Sequence, residues 1–184
     1  LSAVLSLVVF KYLDSQNPQS FVAATLFSKW IFAENLVVPV AFILDRLSAV
    51  MILVVTGVSF LIHIYSIGYM DKDKGFARYF AYLNLFCFAM LTLVLADNLV
   101  LMFLGWEGVG LCSYLLIGFW FEDDEKASAG KKAFIVNRIG DFGFLLGILF
   151  CFYFFRTVNF SEIALSLSEF QSLSTVPIES VATL

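Results

Sequence analysis

The run from Asn98 to Phe121, NLVLMFLGWEGVGLCSYLLIGFWF, is almost wholly apolar and carries one ionisable residue, Glu107, near its middle. A transmembrane helix needs about 20 predominantly apolar residues, so this run is long enough to cross a bilayer. A carboxylate at mid-membrane depth is costly unless it is paired, protonated or facing water, and is by default a candidate functional site. The whole chain fits this reading. Of its residues 61% are hydrophobic and 14% charged, whereas soluble domains carry roughly 25% charged residues. The net charge of -4 and the lack of a basic run argue against a nucleic-acid partner. Cys87, Cys112 and Cys151 all fall in apolar spans, with no CxxC pair and one histidine in the chain. Neither a structural zinc nor an iron–sulfur cluster is expected, and the cysteines read as small buried apolar residues.

Taken in order, Leu1–Leu13 reads as the tail of a transmembrane helix leaving the membrane at Lys11 and Asp14, followed by a turn at Ser15–Pro18. Phe21–Pro39 mixes apolar residues with Lys29, Glu34 and Asn35 and fits a short hairpin or interfacial segment. A first complete span is expected from about Phe42 to Tyr69, with Asp45 and Arg46 pairing at one interface and His63 toward the other. A short charged loop, Met70–Gly75, leads to a second span at Phe76–Ala96, and the tight turn Asp97-Asn98 leads to the Glu107 span. Glu122–Lys126 reads as a solvated loop before a fourth span at Ala129–Phe155, which holds Asn137, Arg138 and Asp141. Asn159-Phe-Ser-Glu162 resembles a capping box opening a short surface helix to about Phe170, then a polar loop through Pro177.

The expected fold is therefore all-α: a polytopic transmembrane helix bundle with four full spans after a truncated helix. It divides into a helix end and extramembrane connection (1–41), a four-span domain (42–156) and a surface helix, loop and start of a next span (157–184). Both ends read as cut through helices, which points to a longer protein. Lys72, Lys74 and Arg78 flank one loop and Lys126, Lys131 and Lys132 another, while the Asp97-Asn98 turn has no basic residue. The positive-inside rule puts the two basic loops on the cytoplasmic or matrix side and the turn opposite.

Glu107 is flanked by Gly105, Gly108 and Gly110, which let a neighbouring helix approach closely. Burial disfavours a charged carboxylate and a nearby cation favours it, so a Glu held between those pulls suits a proton relay; the plainer alternative is a paired Glu that only orients helices. Arg138 and Asp141 share a helix face at i, i+3 spacing and form either a structural salt bridge or a charge relay beside Glu107. Lys131 and Lys132 can snorkel to the interface, although Lys132 is deep enough to join a pathway. Histidine is the usual pH-responsive side chain near neutrality, so His63 is a candidate for proton entry, with packing as its alternative. No phosphate loop, nucleophile triad or metal-ligand spacing is present. Ionisable residues inside helices without a cofactor site point to ion movement.

VLADNLVLMFLGWEGVGLCSYLLIGFW (Val94–Trp120) resembles the signature of the chain 5 (bacterial subunit L) family of respiratory complex I, the proton-pumping NADH:quinone oxidoreductase. The resemblance extends through FILDRLSAVMILVVTGVSFLIHIYSIGYM (Phe42–Met70), RYFAYLNLFCFAMLTLVLADN (Arg78–Asn98) and KKAFIVNRIGDFGFLLGI (Lys131–Ile148). It implies an antiporter-like fold in which inverted repeats enclose half-channels. It also implies that Glu107 is the family's central glutamate and that Arg138 and Asp141 are its NRIGD-helix pair. The family's glutamate pairs with a lysine on the next transmembrane helix, which would lie beyond Leu184. The resemblance places NADH, FMN, iron–sulfur clusters and quinone on other subunits, with no cofactor or metal here. The implied partners are those membrane subunits, the remaining helices of the same subunit and the lipid bilayer, in a bacterial or mitochondrial inner membrane. Two rivals are the large subunit of a multi-subunit sodium/proton antiporter and a non-transporting helix bundle that only packs against its neighbours.

Overall fold

The computed structural model describes residues 6, 8, 9, 11, 21–33 and 36–174. In lipid a chain must satisfy its backbone polar groups internally, which favours helices. Four runs do so: α1 (Arg46–Tyr69), α2 (Phe76–Leu95), α3 (Leu99–Ile117) and α4 (Asp124–Phe155). At about 1.5 Å rise per residue, the shortest, α3 with 19 residues, is about 28 Å long, close to the roughly 30 Å hydrocarbon core. All four are long and apolar enough to cross a membrane. They pack in chain order, α2 against α3 most closely. Little of each is buried in the bundle. Val50, Val54 and Leu61 on α1 and Ile135, Ile139 and Phe142 on α4 stand exposed, as lipid-facing or helix-facing surfaces do.

Each helix start has a local cause. The Asp45 carboxylate, expected beside Arg46 as an ion pair, closes a capping box with Ser48: it accepts from the Ser48 N–H (2.7 Å), and the Ser48 hydroxyl accepts from the Asp45 N–H (2.8 Å). The first span thus starts at Arg46 rather than Phe42, because Phe42–Leu44 continue a strand. Asn98 caps α3, accepting from the Leu101 N–H at 2.9 Å. Asp123 caps α4, accepting from the Glu125 N–H at 3.0 Å. Asp124 and Glu125 occupy the first turn of α4, where the helix dipole favours anions. The expected loop over 122–126 is therefore shorter, and the fourth helix begins at Asp124 rather than near Ala129.

The segment read as a hairpin or interfacial stretch is an antiparallel hairpin of β1 (Val22–Ala33) and β2 (Leu36–Leu44), the sole departure from an all-helical bundle among the described residues. β1 is exposed along its whole length, and β2 is tucked onto the bundle through Val38 and Ala41. At this end the backbone is tied together. The Asp97 N–H donates to the Ala41 carbonyl (3.1 Å), the Leu99 N–H to Val158 (3.0 Å) and the Phe160 N–H to Asp97 (3.3 Å). The Asn98 side-chain amide donates to the Pro39 carbonyl at 3.0 Å. Val38, Ile148 and Val158 form the core here, with Leu99, Phe103 and Phe144 packed on it. From it leads α5 (Phe160–Ser174), which runs past the expected end at Phe170. Its Glu162 is held by the Asn159 amide (3.1 Å) and the Thr157 hydroxyl.

At the opposite end the α1–α2 and α3–α4 loops meet. The Trp120 indole donates to Asp73 at 2.8 Å. The Arg78 guanidinium donates to the Phe119 carbonyl at 3.3 Å and lies over the Phe119 and Phe121 rings. Lys72, Lys74, Arg78 and Lys126 gather at this end, away from the Asp97-Asn98 turn. The expected helix tail at 1–13 is described only at Ser6, Val8, Val9 and Lys11, all helical; the Ser6 hydroxyl shares a 3.1 Å hydrogen bond with Thr56 of α1. The turn expected at 15–18, the remainder of the loop expected through Pro177 and the start of a next span lie outside the described residues.

Candidate functional site

Glu107 lies at the middle of α3, and Arg138 and Asp141 lie near the middle of α4. Because α3 and α4 are consecutive, packed and joined by a short loop, these three residues come to one depth. Glycines set the spacing. A Cβ on Gly108 would lie 2.9 Å from the Ala89 Cβ, so α2 is seated directly against α3. Near the α3–α4 loop, a Cβ on Gly130 would lie 3.2 Å from the Gly118 Cα. Only small residues allow such approaches.

The Arg138 guanidinium is shared between two carboxylates. Its Nη1 pairs with Glu107 Oε2, and its Nε stands 3.6 Å from Asp141 Oδ2. The other Asp141 oxygen, Oδ1, accepts a 2.7 Å hydrogen bond from the Trp106 indole N–H. Trp106 in turn meets the Phe144 ring edge-on, with centroids 5.8 Å apart. The Arg138 guanidinium also covers the Phe134 ring at 4.6 Å. The Asp141 side chain is 8% exposed and that of Glu107 23%, while Arg138 is half exposed. Two adjacent residues of α3, Trp106 and Glu107, and one face of α4, Arg138 and Asp141, thus form a closed polar circuit between otherwise apolar helices. One guanidinium faces two carboxylates, so a shift of Arg138 toward either changes the charge balance at the other.

Two sequence-derived candidates stand apart from this circuit. Lys132 is exposed on α4, with no hydrogen bond or ion pair among the described residues. His63 lies on α1, where its Nδ1–H donates to the Ser59 carbonyl at 2.7 Å and its ring sits 5.8 Å from that of Phe80. It lines a cleft of about 310 Å3 between α1 and α2, with Thr56, Asn84 and Cys87. Residue-by-residue reading did not reach the contact of Glu107 with Arg138 or the hydrogen bond from Trp106 to Asp141. The first was available from depth: antiparallel neighbours place mid-helix residues side by side. The second was available from chemistry: a Trp at mid-span lies away from the interfacial belt, and an indole N–H held away from water needs an acceptor.

Residues 30–80 match the family described as NADH-ubiquinone oxidoreductase (complex I), chain 5 N-terminus, and residues 96–181 match that described as NADH:quinone oxidoreductase/Mrp antiporter, TM. Together the two cover well over half of the chain. Among curated proteins, it is 52% identical over 141 residues to NADH-ubiquinone oxidoreductase chain 5 of Marchantia polymorpha, covering 77% of this chain and 21% of that protein. It is 43% identical over 165 residues to NADH-quinone oxidoreductase subunit L of Rickettsia bellii, covering 90% of this chain and 25% of that protein. Among solved structures, the Mrp complex from Dietzia sp. DQ12-45-1b aligns with TM-score 0.72 and 25% identity, over 88% of this chain and 17% of the matched chain. The chain thus spans about a fifth to a quarter of the length of its curated relatives. It is a multi-pass membrane protein with an antiporter-like fold, and it belongs to the complex I chain 5/subunit L family of antiporter-like membrane subunits.

Proposed function

We propose that this chain supplies the Glu107 station of a proton route in the membrane part of an NADH:quinone oxidoreductase. The observation that carries the reading is Arg138 lying between Glu107 and Asp141 at mid-depth of two apolar helices. Arg138 can balance one carboxylate at a time, and the other is then free to take up a proton. Redox energy released elsewhere in the complex would move that balance and so move the proton. On this reading the enzyme is the assembled oxidoreductase: NADH, flavin, iron–sulfur and quinone chemistry resides in other subunits, and this chain works against neighbouring membrane subunits in a bacterial or mitochondrial inner membrane. Lys132 and His63 would serve at the ends of the route, since neither touches the circuit.

The test is Glu107→Gln in the full-length subunit, assembled in its complex and assayed in inverted membrane vesicles. Retained NADH oxidation with lost proton translocation is the expected result. Normal translocation would remove Glu107 from the route and favour a bundle that only packs. The Dietzia Mrp neighbour favours a second reading, a sodium/proton antiporter subunit. Sodium-dependent proton exchange without NADH oxidation would establish that reading in place of the first.

A further inference from the structure

We infer that Trp106 is a positioning residue for Glu107: its indole N–H fixes Asp141 and thereby sets how Arg138 is divided between the two carboxylates. This rests on the reading of Glu107 as a proton station. Asp141 is nearly fully buried, and among the described residues the Trp106 indole is its one hydrogen-bond donor, at 2.7 Å. The indole occupies Oδ1. The other oxygen stands 3.6 Å from Arg138 Nε, a looser contact than the hydrogen-bonded pair Arg138 makes with Glu107. With Oδ1 satisfied, Asp141 competes weakly for the guanidinium, and Arg138 stays on Glu107. The indole also has a ring partner on α4. It lies edge-on to Phe144, at 85°, and Phe144 is edge-on to Phe103 at 5.4 Å, beside the Val38–Ile148–Val158 core. A mid-depth carboxylate deprived of its donor must find another or take a proton, and the nearest cation is Arg138. Loss of the indole N–H therefore draws Arg138 from Glu107 to Asp141 and alters the protonation balance at Glu107 without touching Glu107.

The experiment uses the full-length subunit in its assembled complex in membrane vesicles, reading protons translocated per NADH oxidised as a function of pH. Trp106→Phe keeps a ring against Phe144 and removes the donor. The expected result is a several-fold fall in protons per NADH with a displaced pH profile, and partial recovery in Trp106→His, which restores a ring N–H. Because Trp106 acts through Asp141, Trp106→Phe/Asp141→Asn is expected to be no worse than Asp141→Asn alone. An unchanged ratio and pH profile in Trp106→Phe, or independent, multiplying losses in the double variant, would overturn the inference. Where Trp106→Phe fails to assemble, the benzothienyl analogue of tryptophan placed at 106 keeps the bicyclic ring and loses only the N–H. The same fall supports the inference, and an unchanged ratio overturns it. Glu107→Gln in the same vesicles separates the two levels. Normal translocation there sinks the proton-station reading, whereas loss there with an unaffected Trp106→Phe sinks only the role of Trp106.

Discussion

A Cβ on Gly105 would lie 2.5 Å from the backbone nitrogen of Leu93 and 2.7 Å from its Cα. Backbone atoms cannot swing aside as a side-chain tip can, so even one methyl group must push α2 and α3 apart. Gly105→Ala is expected to destabilise the subunit by about 1–3 kcal/mol, the usual cost of overpacking. Gly140, on α4, has nothing within 4 Å of its would-be Cβ, so Gly140→Ala is expected to be near neutral. Thermal unfolding of the detergent-solubilised protein compares the two; equal midpoints would contradict the close crossing.

Asn98 is fully buried and used at both ends of its amide, as cap to Leu101 and as donor to the Pro39 carbonyl. Asn98→Ala loses the cap and leaves a carbonyl without its donor, a combined cost of about 1–3 kcal/mol. Hydrogen exchange checks it directly. The Leu101 amide is expected to lose protection, and the hairpin amides around Pro39 to lose it with them.

Two loop carboxylates are expected to show opposite pH signatures. The Trp120 indole, then the Gly75 N–H and the Arg78 charge, hold Asp73 below the usual carboxylate value. A lowered folded value gives stability that is present above the unfolded value of about 3.9 and is lost as pH falls through the folded one. Asp73→Asn should therefore unfold earlier than the parent at neutral pH, with the difference closing in acid. Burial pushes Asp97 up. Its folded state favours the acid, so stability is full below the unfolded value and declines as pH rises through the folded one. Asp97→Asn is accordingly expected to be more stable than the parent at neutral pH, again converging in acid. Melting curves from acid to neutral pH would refute this if both variants deviated in the same direction.

Arg138→Gln leaves Glu107 and the nearly buried Asp141 facing each other without a cation. Breaking a buried pair from one side costs roughly 3–5 kcal/mol, less where one partner is half exposed as Arg138 is. The amount of subunit recovered in the purified complex is expected to fall. Adding Asp141→Asn removes the stranded charge and should restore much of it. No recovery in the double variant would mean that Asp141 is not what Arg138 compensates.

Much of the bundle was legible because lipid removes alternatives: apolar runs of membrane length bounded by Asp97-Asn98 and Met70–Gly75 leave little but helices. Boundaries were less legible where a cap decides them. Asp45 and Asp123 look like loop charges in the sequence, yet each starts a helix, because a carboxylate at a helix N-terminus satisfies free N–H groups. The hairpin at Val22–Leu44 was ambiguous because its apolar residues alternate irregularly, and the β1–β2 register itself shifts between Thr25 and Ile31. Glu107 was legible as a costly mid-span carboxylate from its apolar surroundings alone. Its contact with Arg138 was legible only through depth, since residues distant in sequence meet through the α3–α4 crossing.

The circuit of Glu107, Arg138 and Asp141 also has a fixed valence. Fully ionised, it holds one positive and two negative charges and so carries a surplus of minus one. Hydrocarbon penalises any net charge, so the cluster is electroneutral with one added positive charge and becomes cationic with two. On the proposed proton route, a proton and an ammonium group from an adjoining helix would therefore compete for a single place in the cluster.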